Sequence, residues 1–117
     1  LLIDDEEMLA ELGMEMLEDL GYKVTIQLDS VKALKVFNEN PDNFDLVITD
    51  QTMPELTGSE LAKKILQIRP DIPVILCTGY SNLIDEETAK ELGIQAFLQK
   101  PLTQEVLADT VKGLLKS

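Results

Sequence analysis

Histidine and tryptophan are absent from this chain of 117 residues, and cysteine occurs once. Without histidine there is no imidazole for acid–base catalysis, no usual zinc site and no histidine phosphodonor. The lone Cys77 cannot form an internal disulfide, in keeping with a reducing, cytoplasmic compartment. Its place at the end of Val74-Ile75-Leu76-Cys77 reads as a small buried hydrophobe rather than a nucleophile. Basic residues are scarce, 10 Lys and Arg against 22 Asp and Glu, for a formal net charge of −12. Such a field repels nucleic acid and anionic lipid, so no direct nucleic-acid or membrane contact is expected of this segment. No apolar run approaches the roughly 20 residues that cross a bilayer, and nothing resembles a signal peptide. An initiator Met is also missing, and the chain starts within an apolar run at Leu1. We therefore expect a trimmed piece whose first strand lacks its first residues.

A hydrophobic content of 44% with 27% charged residues is ordinary for a globular domain. Residues 1–117 are read as one domain, with no repeat, linker or low-complexity segment. Short apolar runs alternate with longer stretches of helical period, the pattern of βα units and a parallel sheet. The spacing predicts a helix over Asp5 to Leu20, with Leu9, Gly13, Met16, Leu17 and Leu20 on the inner face and Gly21 as its stop. A strand is predicted over Val24 to Leu28, then a helix capped by Ser30 and closed by Asn40-Pro41. The central strand is expected over Asp45 to Thr49, and Thr57-Gly58-Ser59-Glu60 matches a capping box for a helix ending at Arg69-Pro70. Further strands are read to Cys77 and over Ala96 to Gln99, flanking a short polar helix from Asp85 to Leu92. Thr103 caps a last helix, with Val106, Leu107, Thr110, Val111 and Leu114 facing in. The expected fold is α/β, a (βα)5 doubly wound parallel sheet of five strands with right-handed crossovers.

Four of the apolar runs end on residues suited to phosphoryl chemistry. Leu1-Leu2-Ile3 stops at Asp4-Asp5, Leu46 to Thr49 at Asp50, Val74 to Cys77 at Thr78, and Ala96 to Gln99 at Lys100-Pro101. Parallel strands bring those ends to one edge, where open α/β sheets bind ligands. Three carboxylates gathered there repel one another, and a hard divalent cation with oxygen ligands relieves the repulsion. A carboxylate beside such a cation can attack phosphorus and hold an acyl phosphate. Lys100 would supply a point charge and Thr78 a hydroxyl donor. Taken singly, each has an ordinary explanation: a helix-capping acid, a strand end before Gly79, a surface Lys before a turn. Their common placement at one sheet edge outweighs those explanations.

On Asp4-Asp5, Asp50, Met53-Pro54, Gly58, Thr78-Gly79 and Lys100-Pro101, taken in that order, the chain resembles a response-regulator receiver domain. It is similar to single-domain chemotaxis regulators and to receivers fused to hybrid sensor histidine kinases, and the likeness spans nearly the whole chain. The resemblance implies a flavodoxin-like receiver fold and a two-component phosphorelay in which Asp50 accepts a phosphoryl group from phosphohistidine. It further implies magnesium, or manganese, held by Asp5 and Asp50 directly, by Asp4 through water and by the Thr52 backbone carbonyl. Thr78 and Lys100 would contact the phosphoryl oxygens, and the Lys100-Pro101 peptide is expected to be cis. Thr78 and Phe97 would form the conformational switch, Phe97 standing where many members have Tyr. Thr52 and Tyr80 occupy positions that tune acyl-phosphate lifetime, and Tyr80 is expected to shield the site from water. Met8 and Leu12 on the first helix are expected to form the docking face for a histidine kinase or histidine phosphotransfer domain. The domain is expected to be a monomer or weak dimer, lying at the cytoplasmic face of the membrane if joined to a membrane-bound sensor kinase.

Two other readings compete. A haloacid-dehalogenase-type phosphatase also uses an Asp nucleophile, magnesium, Thr and Lys, but it needs an acid two residues after the nucleophile, where this chain has Thr52. A phosphorylation-independent binding module would be expected to have lost catalytic positions, and all of them are present here.

Overall fold

The computed structural model describes residues 1–51, 53, 55–78, 90–99 and 102–115. Five strands, β1 (Leu2–Ile3), β2 (Ile26–Gln27), β3 (Val47–Asp50), β4 (Val74–Thr78) and β5 (Ala96–Gln99), form one sheet in the order β2-β1-β3-β4-β5. Every neighbouring pair is parallel. The chain winds outward both ways from the β1/β3 boundary, where Ile3 pairs with Thr49. Asp4 and Asp5 therefore leave β1 at the edge where Asp50 ends β3.

Helices α1 (Glu7–Asp19), α2 (Ser30–Glu39), α3 (Gly58–Ile68) and α4 (Gln104–Leu115) cover the sheet, with a 3-10 turn at Pro41–Asn43. Most of the helix expected from Asp85 to Leu92 lies outside the described residues, and Lys90 and Glu91 are helical. Successive strand residues point to opposite faces. Ile3, Val47, Val74 and Leu76 pack with Ala33 and Phe37 of α2 and with Leu61, Ala62 and Ile65 of α3. Leu2, Ile48, Ile75 and Cys77 pack on the other face with Leu17 of α1 and with Leu107 and Val111 of α4. This is the expected doubly wound sheet with two apolar cores.

Local differences have identifiable causes. Asp29, not Ser30, caps α2, its carboxylate accepting from the backbone N–H groups of Val31 and Lys32 at 2.8 and 3.0 Å. Ser30 is instead buried, and its hydroxyl accepts from the Leu56 N–H across the fold. In α1 the buried residues are Ala10, Gly13 and Leu17, while Leu9 is exposed. Small residues let this helix lie close to the sheet: a Cβ on Gly13 would stand 2.9 Å from Leu2 Cδ2. Val106, expected to face inward, is exposed, and α4 buries Leu107 and Val111. The second strand is shorter than expected, two residues at the sheet edge. Both halves of the capping box at Thr57 and Glu60 are present, and Thr103 caps α4 through the Val106 N–H. No helix among the described residues is long and apolar enough to cross a membrane.

Candidate functional site

Carboxylate oxygens of Asp4, Asp5 and Asp50 lie within 4.8 Å of one another. β1 and β3 are adjacent in the sheet and end in register, so the acids meet although some 45 residues of sequence separate them. Asp4 and Asp50 are buried and Asp5 is exposed, an arrangement open to solvent on one side. The Asp4 carboxylate accepts from the Glu6 N–H at 2.9 Å, which turns the chain from β1 toward α1. Three acids this close, two of them withdrawn from water, favour a cation between them. An all-oxygen donor set that leaves room for water fits magnesium better than a soft metal.

Asp50 is fixed from several sides. Its backbone pairs with Cys77 of β4. Its carbonyl accepts from the Thr49 hydroxyl at 3.1 Å. The start of α3 abuts the same carbonyl, since a Cβ at Gly58 would fall 2.2 Å from that oxygen. Only a residue without a side chain permits this approach. Thr78, one residue beyond Cys77, is buried at the end of β4. Phe97 stands opposite Leu76 on β5, partly buried against the core shared with α2 and α3. Thr52, Pro54, Tyr80, Lys100 and Pro101 lie outside the described residues, so the expected carbonyl ligand, lifetime positions and cis peptide fall there.

Met8 is 82% exposed and Leu12 49%, so both apolar side chains are available on α1 beyond the acid pair. A cavity of about 320 Å³ opens at the opposite end of the strands, bordered by Leu1, Tyr22, Asp45 and Leu115, away from the acids. The residue that sequence reading missed is Gln51. Its side chain is buried and bonded to Ser59, and hydrophobic periodicity carries no signal for such a group.

The family model for the response regulator receiver domain matches residues 1–112. The chain is 34% identical to a sensor kinase, CckA, of Brucella abortus, over 99% of this chain and 12% of that protein. It is 32% identical to a transcriptional regulatory protein, GlrR, of Escherichia coli, over 99% of this chain and 26% of that protein. The chain thus spans about an eighth and about a quarter of these two relatives. Among solved structures, a response regulator receiver domain protein from Clostridium thermocellum superposes with a TM-score of 0.92 at 32% identity, covering 97% of this chain and 90% of that one. A CheY-like receiver from Methanospirillum hungatei gives 0.88 at 29%, with coverage of 97% and 90%.

Proposed function

The chain belongs to the response regulator receiver domain family, the phospho-accepting module of two-component phosphorelays, and on that premise we propose that Asp50 is its acceptor. The observation that carries this reading is the meeting of the Asp4, Asp5 and Asp50 carboxylates at the end of β3, beside the buried Thr78. Family membership does not favour the dehalogenase-type reading, and the presence of Asp4, Asp5, Asp50 and Thr78 together does not favour the binding-only one. Receiver domains use magnesium at an acidic pocket, and here Asp5 and Asp50 would hold the ion directly, Asp4 through water and Thr52 by its carbonyl. When bound, that ion supplies charge neutralisation for the phosphoryl oxygens.

The chain's own residues do the rest. An ionised Asp50 oxygen attacks the phosphorus of a donor phosphohistidine, the P–N bond breaks, and the departing imidazole nitrogen takes a proton. The product is an aspartyl phosphate, which adds charge to an already acidic cleft. Thr78 donates its hydroxyl to a phosphoryl oxygen and Lys100 supplies a compensating ammonium. Drawn toward the phosphoryl group, Thr78 vacates space beside Leu76, whose partner on β5 is Phe97. The switch then rests on apolar burial of Phe97, because Phe has no hydroxyl to anchor it. Tyr80 shields the product from water, so Tyr80→Ala hastens dephosphorylation; an unchanged rate refutes that role.

Receiver domains interact with histidine kinases or phosphotransfer proteins, and the α1 surface is the proposed docking face. Met8 and Leu12 form its apolar centre, ringed by exposed Glu7, Glu11 and Glu15, with no Lys or Arg before Lys23. The matching donor surface is apolar with a basic rim. Attachment to a hybrid sensor kinase is supported by the sensor-kinase relatives, and a parent gene without a kinase region would refute it.

The deciding experiment is intact mass after incubation with acetyl phosphate and magnesium, beside Asp50→Asn. One phosphate on wild type only, abolished by prior EDTA, is expected. A folded wild type that gains no mass at short or long times overturns the reading.

A further inference from the structure

Gln51 follows the proposed acceptor and is only 2% exposed. A buried amide is tolerated when its polar atoms are bonded, and here the bonds converge on one place. The backbone N–H donates to the Cys77 carbonyl at 2.9 Å, and the backbone carbonyl accepts from the Gly58 N–H at 2.9 Å. The side-chain Oε1 accepts from the Ser59 N–H at 2.7 Å, and Nε2 donates to Ser59 Oγ at 3.2 Å. Ser59 Oγ lies in turn 3.2 Å from the hydroxyl of Thr57, the N-cap of α3. One residue thereby joins β4, the end of β3 and the first turn of α3.

These bonds join the two ends of the loop between Gln51 and Gly58, of which Met53 and Glu55 to Thr57 are described. Within that loop Glu55 has φ 68°, a left-handed conformation unfavourable for any residue with a Cβ. Leu56 is held by its N–H bond to Ser30 Oγ at 3.3 Å. Glu55 and Leu56 are thus held by these anchors rather than by local preference. Gln51 also accepts from the first two N–H groups of α3, Gly58 and Ser59, which the capping box of Thr57 and Glu60 does not reach. It does not belong to either apolar core, where Leu or Met would serve as well. What the amide adds is a fixed spacing between β3 and α3, directly behind Asp50.

We infer that Gln51 is a positioning residue for phosphoryl transfer, holding Asp50 and the loop that follows it in the geometry that the cation and the phosphoryl group require. This rests on the reading of Asp50 as acceptor. The test compares wild type, Asp50→Asn, Gln51→Leu and Ser59→Ala with acetyl phosphate over a magnesium series. Intact mass gives the rate, and melting curves confirm that each variant is folded at the assay temperature. Loss of a group that orients metal ligands typically costs about 10- to 100-fold in metal affinity or activity. Gln51→Leu is expected to raise the half-saturating magnesium concentration, or lower the saturated rate, by about tenfold or more. Ser59→Ala keeps the backbone bond and should shift the same quantities less, in the same direction.

A Gln51→Leu protein that melts earlier but keeps the wild-type magnesium profile and rate overturns the inference, leaving a packing role. If that variant does not fold, Ser59→Ala decides, and a wild-type profile there overturns it equally. Failure of wild type to gain a phosphate, or a phosphate on Asp50→Asn, is a different result. It removes the acceptor reading and this inference with it.

Discussion

Replacing Gly58 with Ala tests whether the acceptor strand and α3 are as close as the geometry requires. The new Cβ would stand 2.7 Å from Leu76 Cδ1 and 2.2 Å from the Asp50 carbonyl oxygen, against a floor near 3.0 Å for real contacts. The Leu76 methyl can swing aside. The carbonyl cannot, because Asp50 is paired in the sheet. The strand and helix must separate by most of an ångström. Overpacking of this kind costs about 1–3 kcal/mol, partly offset by the better helix propensity of Ala, at most ~1 kcal/mol. A net loss of about 1–2 kcal/mol lowers Tm by roughly 4–8 °C in a domain of this size. Gly113→Ala is the control, since nothing lies within 4 Å of its Cβ position in α4, and a gain of about 0.5–1 kcal/mol is expected. The same chemical change thus has opposite signs at two helical sites. Because the displaced atom belongs to Asp50, phosphorylation should slow as well, and an error near 1 Å can cost about 100-fold. Circular dichroism melts and an acetyl phosphate time course read both effects. A Gly58→Ala protein that melts at or above wild type and is phosphorylated at the same rate refutes the reasoning.

The Arg69 guanidinium donates to the carbonyls of Pro41 at 2.8 Å and Phe44 at 2.5 Å, whereas its partner Asp71 is 79% exposed. Arg69→Met should lose about 1–3 kcal/mol in urea unfolding and Asp71→Asn under about 0.5 kcal/mol; equal losses would refute this assignment. The Thr57 N–H, and then its hydroxyl, hold Glu60 below its ordinary value of 4.5. A lowered folded pKa gives stability present above that value and lost as pH falls through the folded one. The advantage of wild type over Glu60→Gln should therefore shrink from pH 7 to pH 3, and a constant difference excludes this cause. Met8→Glu or Leu12→Glu should slow transfer from the cognate donor while sparing acetyl phosphate, and added salt should slow the donor reaction of wild type. Equal slowing with both phosphodonors would indicate misfolding instead.

Chain order and, to within a residue, the C-terminal ends of β1, β3, β4 and β5 were legible because parallel strands need only short apolar runs with turn signals between them. The acids could be placed together from topology alone, since neighbouring strands share an edge. The cap of α2 was not legible: Asp29 and Ser30 are adjacent and equally suited, and a contact with Leu56, distant in sequence, decides between them. On α1, Gly13 and Leu17 were placed correctly on the inner face, but Ala10 was missed because it makes little hydrophobic signal, and Leu9 was placed inside although it is exposed. Val106 belongs to an apolar stripe by spacing but lies outside the part of α4 that the sheet covers. Gln51 was invisible for a different reason: a polar residue enters an interior only when distant partners satisfy it, and one sequence does not display them.

Among the described residues the two apolar cores lie on opposite faces of the sheet, with α1 and α4 on one side and α2 and α3 on the other. Substitutions on opposite sides share few side-chain neighbours, so their effects on stability should add. The surface that would choose a phosphodonor is carried by α1, whereas the anchors of the acceptor loop come from α2 and α3. Changes on the outer face of α1 that redirect this domain to a new donor can therefore accumulate without disturbing the loop anchors held on the other side. A duplicated copy could diverge in partner choice long before it lost the capacity to be phosphorylated.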